Sequence, residues 1–116
     1  MATHNLTGQK GEQLAVDYFQ SNGYRLLHSN WRTSHWEIDI IATKNGILHF
    51  IEVKTKTSNY HGFPEDEVSV KKFKWLVQAA EAYLYLHPQW QRIQYDILAI
   101  TLQPKLSFFL IEDVYL

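Results

Sequence analysis

The dipeptide Asn45-Gly46 stands between two isoleucine-rich runs, Trp36 to Thr43 and Ile47 to Thr55. Asn-Gly in that setting is the strongest short-range signal for a two-residue hairpin. With Asn45 and Gly46 as the loop residues, Lys44 pairs with Ile47 and every opposed pair sums to 91. One turn thereby sets the register of two strands. Asp39 then faces Glu52, and Glu37 faces Lys54. Side chains two apart on a strand share a face, so Glu37, Asp39, Glu52 and Lys54 form one patch. The opposite face of the first strand carries Trp36, Ile38 and Ile40 and is expected to be core.

Around this hairpin the elements follow from periodicity and punctuation. Lys10 to Gln20 reads as a helix, with Leu14, Ala15, Tyr18 and Phe19 at helical spacing. Asn22-Gly23 ends it, Gly23 supplying the left-handed residue after the last turn. Tyr24 to Trp31 is a strand. After the hairpin a polar loop runs from Lys56 to about Asp66. A long helix spans about Ser69 to Leu86, with Ser69 as N-cap and Phe73, Leu76, Val77, Ala80 and Leu84 as its apolar stripe. His87-Pro88 ends it. Ile93 to Leu102 and Leu106 to Ile111 are two more strands around Gln103-Pro104-Lys105, and Glu112 to Leu116 is a tail. The order α-β-β-β-α-β-β predicts an α/β fold, a mixed sheet with helices packed against it.

With 116 residues, 46% of them hydrophobic, the chain is expected to form one domain over residues 1–116 with a real core. There is no cysteine, which excludes disulfides, zinc knuckles, iron–sulfur clusters and thiol nucleophiles. Apolar runs are too short to span a bilayer, and Met1-Ala2-Thr3-His4-Asn5 does not begin a secretory signal. The expectation is a cytoplasmic protein without a membrane partner. Eleven basic against twelve acidic residues, a net charge of −1, speak at first sight against nucleic acid.

Two carboxylates opposed across a hairpin repel each other, and burial raises the cost. Stability does not explain such a pair, but a hard divalent cation does. Bound there, it would turn a liability into a ligand set and acidify a water. Lys54, two residues past Glu52, can orient the water or neutralise charge developing on a phosphoryl group. Asp39, Glu52 and Lys54 together look like a metal-dependent phosphodiester hydrolysis centre. The competing reading is a solvated strand face with a Glu37–Lys54 salt bridge. Glu12 shares a helix face with Ala15, Val16 and Phe19. It is either decoration favoured by the helix dipole or a core-facing ligand.

At these residues the chain resembles a known family. Gly11-Glu12 with Ala15, Gly23-Tyr24, Asn30-Trp31-Arg32, Glu37-Ile38-Asp39-Ile40-Ile41-Ala42 and Phe50-Ile51-Glu52-Val53-Lys54-Thr55-Lys56 look like the UPF0102 (YraN-like) bacterial proteins. So do Val68-Ser69, Lys72, Ala79-Ala80, Tyr95-Asp96-Ile97 and Ile111-Glu112-Asp113-Val114-Tyr115. That family is similar to the Holliday-junction-resolvase-like branch of the PD-(D/E)xK restriction-endonuclease-like superfamily. The resemblance implies an αβββαβ core, a magnesium-dependent nuclease site in which manganese could substitute, and DNA or another nucleic acid as substrate. It places the motif on Asp39, Glu52 and Lys54, with Glu12 as the additional helix glutamate and metal ligand. Two positions depart from the pattern: Trp36 stands where glycine is common, and Gln94 where arginine is common.

Lys54, Lys56, Lys71, Lys72 and Lys74 place five of the eleven bases within 21 positions. Lysines there suit phosphate contacts, and the start of the second helix attracts anions. Lys72 and Lys56 are the expected substrate contacts. Arg32 could join them or brace Glu37. Glu65-Asp66-Glu67 complement the helix dipole, and Ser58 to Phe63 could face substrate. His28, His35 and His49 are read as polar strand positions, and no histidine is assigned to metal. Tyr83, Tyr85 and Trp90 could stack bases, although packing is the stronger reading. Phe108-Phe109 must point opposite ways, and an exposed apolar edge there would suit a homodimer. With acids gathered at the site and bases beside it, net −1 predicts a local, metal-dependent grip on DNA. The alternative is a catalytically silent nucleic-acid-binding or protein-adaptor domain on the same fold.

Overall fold

The computed structural model describes residues 6–58 and 70–115. Ser69, the acidic run 65–67 and all but the first residue of the segment 58–63 lie outside them. The elements are α1 (Leu6–Ser21), β1 (Arg25–Arg32), β2 (Glu37–Lys44), β3 (Ile47–Ser58), α2 (Val70–Leu86), β4 (Ile93–Gln103) and β5 (Ser107–Ile111). They form the expected mixed α/β arrangement. One five-stranded sheet runs in the order β1-β2-β3-β4-β5. β3 and β4 are parallel, joined across α2, and the other pairs are antiparallel.

The turn chemistry explains the register. Asn45 and Gly46 both take positive φ, 53° and 78°, the pair of values a type I′ turn needs. The pairs from Lys44–Ile47 to Ile40–Ile51 all follow the register that this turn sets. At the end of α1, Tyr24 N–H donates to Phe19 C=O and Gly23 N–H to Gln20 C=O, a Schellman cap with Gly23 at φ 87°.

The two helices cover opposite faces of the sheet. Ala15 and Phe19 of α1 pack with Ile40, Ala42, Ile51, Leu98 and Ile100. Phe73, Leu76, Ala79, Ala80 and Tyr83 of α2 pack with Ile38, Ile41, Leu48 and Phe50. Central strands with both faces covered read as nearly continuous apolar runs, as β2 and the start of β3 do. Tyr83 is core, Trp90 packs beside it and Tyr85 stays exposed. Phe108 stacks on Tyr18 at 4.9 Å, and Leu106 and Phe109 are exposed along the β5 edge.

α1 meets β3 most closely at Gly11. A Cβ there would stand 2.8 Å from Thr55 Cβ and nearer still to its hydroxyl. Alanine would gain about 1 kcal/mol of helix propensity. The overlap is with a β-branched side chain on a central strand, and such overpacking costs about 1–3 kcal/mol. Gly11→Ala is therefore expected to lower the urea midpoint. An unchanged or higher midpoint would show that α1 can lift off Thr55 without loss.

Candidate functional site

One end of the hairpin departs from regular strand geometry, and the candidate residues collect there. The β2–β3 ladder stops at Ile40–Ile51, one pair short of Asp39 and Glu52. Beyond it the Val53 N–H donates to Asp39 Oδ2 at 2.7 Å. A carboxylate has taken the place of a ladder carbonyl. Across on β1, Asn30 has φ 53°. Ile38 packs on the α2 side and Ile40 on the α1 side, so strict alternation fails at Asp39. The expectation that Trp36, Ile38 and Ile40 form one core face is corrected accordingly.

This break leaves Asp39 open to both sides of the sheet. On the α2 side, a cavity of about 650 Å³ is lined by Glu37, Asp39, Glu52 and Lys72, with Trp36 and Trp75 as aromatic walls. On the α1 side, a cavity of about 170 Å³ is lined by Glu12, Asn30 and Asp39, with Val16 and Val53 behind them. Glu12 thus meets Asp39 in one cavity, and Glu52 meets it in the other. Lys54 follows Glu52 by two residues on β3, close enough to lower the proton affinity of both carboxylates.

The electrostatics of the pair are unfavourable for a protein without a counter-ion. Burial raises the Asp39 pKa to about 6; the Val53 N–H and Lys54 oppose the rise, and Glu37 and Glu12 add to it. Burial, followed by the charge of Asp39, pushes Glu52 up to about 8 against Lys72 and Lys54. Near neutral pH the pair therefore retains a proton that isolated carboxyls would release.

The donor atoms at this site are oxygens, the set that a hard cation takes. Among the described residues, no three Asp, Glu or His side chains converge as a ready cage. The oxygens available are those of Asp39 and Glu52, with Glu12 and one further atom on the far side of Asp39. That atom is Asn30 Oδ1, a buried acceptor without a hydrogen-bond partner. Its own Nδ2 donates to Glu12 Oε1 at 3.2 Å, which directs the orphan oxygen away from the glutamate. Oxygen donors of this kind suit magnesium or manganese. Asn30 had a signal in the sequence: asparagine is depleted in strands and tolerates positive φ.

The remaining site residues fall as follows. Arg32 Nη2 lies 3.5 Å from Glu37 Oε1, in register across β1 and β2, so it braces that glutamate. Of the two roles expected for Arg32, this is the contact with Glu37. Lys72 sits in the first turn of α2 and lines the larger cavity. Lys56 lies further along β3, in register with Thr101, and is half-buried. His35 is in the β1–β2 turn rather than a strand.

His49 lies on β3, the polar strand position expected, and is buried there. It is 4% exposed and its Nδ1 lies 2.6 Å from Oδ2 of Asp96, which is fully buried. Asp96 Oδ1 accepts Gln94 Nε2 at 2.9 Å and the Asp113 N–H at 3.0 Å. Gln94, where the resemblance led to an arginine, therefore braces this buried aspartate.

Comparison with known proteins agrees over most of the chain. A family model described as "Uncharacterised protein family UPF0102" matches residues 11–100. A UPF0102 protein of Bacteroides fragilis is 41% identical over 114 residues, covering 98% of this chain and 93% of its own length. One from Bacteroides thetaiotaomicron is 40% identical over 100 residues, covering 86% and 83%. One from Persephonella marina is 36% identical over 97 residues, covering 83% and 84%.

Proposed function

The chain belongs to the uncharacterised protein family UPF0102, and from that membership and the Asp39–Glu52 cleft we propose a magnesium-dependent endonuclease that hydrolyses DNA phosphodiester bonds. The same reading places it with the Holliday-junction-resolvase-like nucleases, on branched or otherwise structured DNA. One observation carries the proposal. Two carboxylates line one cavity under conditions that raise both of their pKa values, to about 6 and about 8. An arrangement that costs stability when empty of charge compensation is accounted for by a cation.

The ion would be held by Asp39 and Glu52, with Glu12 and Asn30 Oδ1 available across Asp39, and would supply charge that polarises a phosphoryl group and acidifies water. The protein's own groups do the rest. Lys54 supplies positive charge for a phosphoryl oxygen or steers the attacking water. Lys72 meets a phosphate at the start of α2, where exposed N–H groups favour anions. Arg32 holds Glu37 at the cleft wall. Asn30 positions Glu12 through its amide.

Magnesium or manganese is expected to raise the melting temperature, by an amount equivalent to about 2.7 kcal/mol at a hundredfold excess over Kd. Because the pair holds a proton, binding should release protons and strengthen from pH 6 to pH 8. Asp39→Asn should abolish both effects. Equal responses in wild type and Asp39→Asn would refute the site.

A further inference from the structure

We infer that the α2-side cleft receives an unpaired DNA nucleotide, its base stacked on Trp75 against the Trp36 wall, so that the substrate carries a single-stranded segment. This rests on the nuclease reading above and narrows its substrate class. Trp75 is 48% exposed although it lies on α2, whose inward face is fully apolar. It follows Lys72 by three residues, and both line the same cavity. Trp36, immediately before β2, lines the same cavity and packs against the α2-side core. Lys71 Nζ stands 5.1 Å from the centre of the Trp75 ring. The base would take the indole face that Lys71 leaves open.

Stacking aromatics beside lysines form the usual platform for single-stranded nucleic acid, because every base offers a π-face and every linkage a charge. The cavity of about 650 Å³ is also of a size that accommodates a small-molecule ligand. In intact duplex the bases are already stacked and could reach Trp75 only after extrusion, which costs a few kcal/mol. A nucleotide that is already unpaired avoids that cost. The carboxylates on the same cavity would then face the linkage next to the stacked base.

The test is fluorescence-anisotropy binding of a labelled oligothymidylate and of its abasic counterpart, both in EDTA. Wild type should bind the base-bearing strand about tenfold or more tightly. Trp75→Ala should bring the two affinities together, whereas Trp75→Phe, which keeps a π-face, should keep most of the difference. Trp75 is half exposed, so both variants should melt near wild type; a third variant, Trp36→Phe, reports on the other wall. Equal binding of the two strands by wild type, or undiminished discrimination in Trp75→Ala, would overturn the inference. The hydrolytic reading is scored separately, by cleavage in magnesium. A protein that cleaves but ignores bases sinks the stacking role alone. One that discriminates bases but never cleaves sinks the nuclease reading alone.

Discussion

Glu52→Gln is expected to raise the stability of the metal-free protein at pH 8 while reducing DNA cleavage about a thousandfold or more. The two effects have one origin. Burial and the neighbouring Asp39 push the Glu52 pKa from 4.5 to about 8. The folded state therefore keeps a proton that the unfolded chain gives up near pH 4–5. The stabilisation from that bound proton is complete below the unfolded pKa. It is lost as pH rises through about 6 for Asp39 and about 8 for Glu52. Glutamine carries no charge to desolvate and none to repel an ionised Asp39. The gain at pH 8 should be on the order of 3 kcal/mol, allowing for the partial solvent contact of Glu52. Urea denaturation between pH 5 and pH 9 checks it. Wild type should weaken up to about pH 8, whereas Glu52→Gln should weaken only to about pH 6, as Asp39 ionises, and be nearly flat above it. A variant less stable than wild type at pH 8 would mean that the carboxylate is stabilising where it stands.

The second large effect lies away from the cleft. Asp96→Ala is expected to cost about 3–5 kcal/mol, a major part of the roughly 5–15 kcal/mol that holds a typical domain folded. Asp96 is fully buried, and three groups depend on its two oxygens: His49 Nδ1, Gln94 Nε2 and the Asp113 N–H. Removing the carboxylate leaves buried His49, half-buried Gln94 and the Asp113 N–H each short of a partner. It also removes one of the two hydrogen bonds that pin the tail to β4, leaving the Val114 N–H on Tyr95 C=O at 2.8 Å. Replacing both partners with leucine should be less damaging than Asp96→Leu alone, because no uncompensated polar group then remains at His49. A loss below about 1 kcal/mol for Asp96→Ala would show that water replaces the carboxylate without penalty.

Much of the fold was legible because its strongest signals are local. The Asn45-Gly46 turn and the Gly23 cap rest on φ values that few residues tolerate, so the residues themselves announce them. The hairpin register, paired as far as Ile40–Ile51, brings Asp39 and Glu52 just beyond its end into one cavity. What could not be read is where geometry departs from the repeat. A period-two argument places Ile38 and Ile40 on one face, yet the Asp39 carboxylate captures the Val53 N–H and the strand shifts. That shift opens Asp39 to both cavities, and strand periodicity has no term for it. Charge pairing was ambiguous for a related reason. Glu37 has both Lys54 and Arg32 as candidate partners in the sequence, and only the β1–β2 register brings Arg32 opposite it. The burial of His49 was not legible because its partner is 47 residues away. An isolated histidine in a strand gives no sign of a buried aspartate on the next one.

The central claim, that the acidic pair serves metal-dependent DNA hydrolysis, is tested most directly by one side-by-side assay. Labelled branched, single-stranded and duplex DNAs are incubated with wild type and Glu52→Gln, in magnesium and in EDTA. Cleavage is expected from wild type in magnesium only, and none from Glu52→Gln although it is folded and more stable. Cleavage by Glu52→Gln at the wild-type rate, or no cleavage of any substrate by metal-loaded wild type, would contradict it.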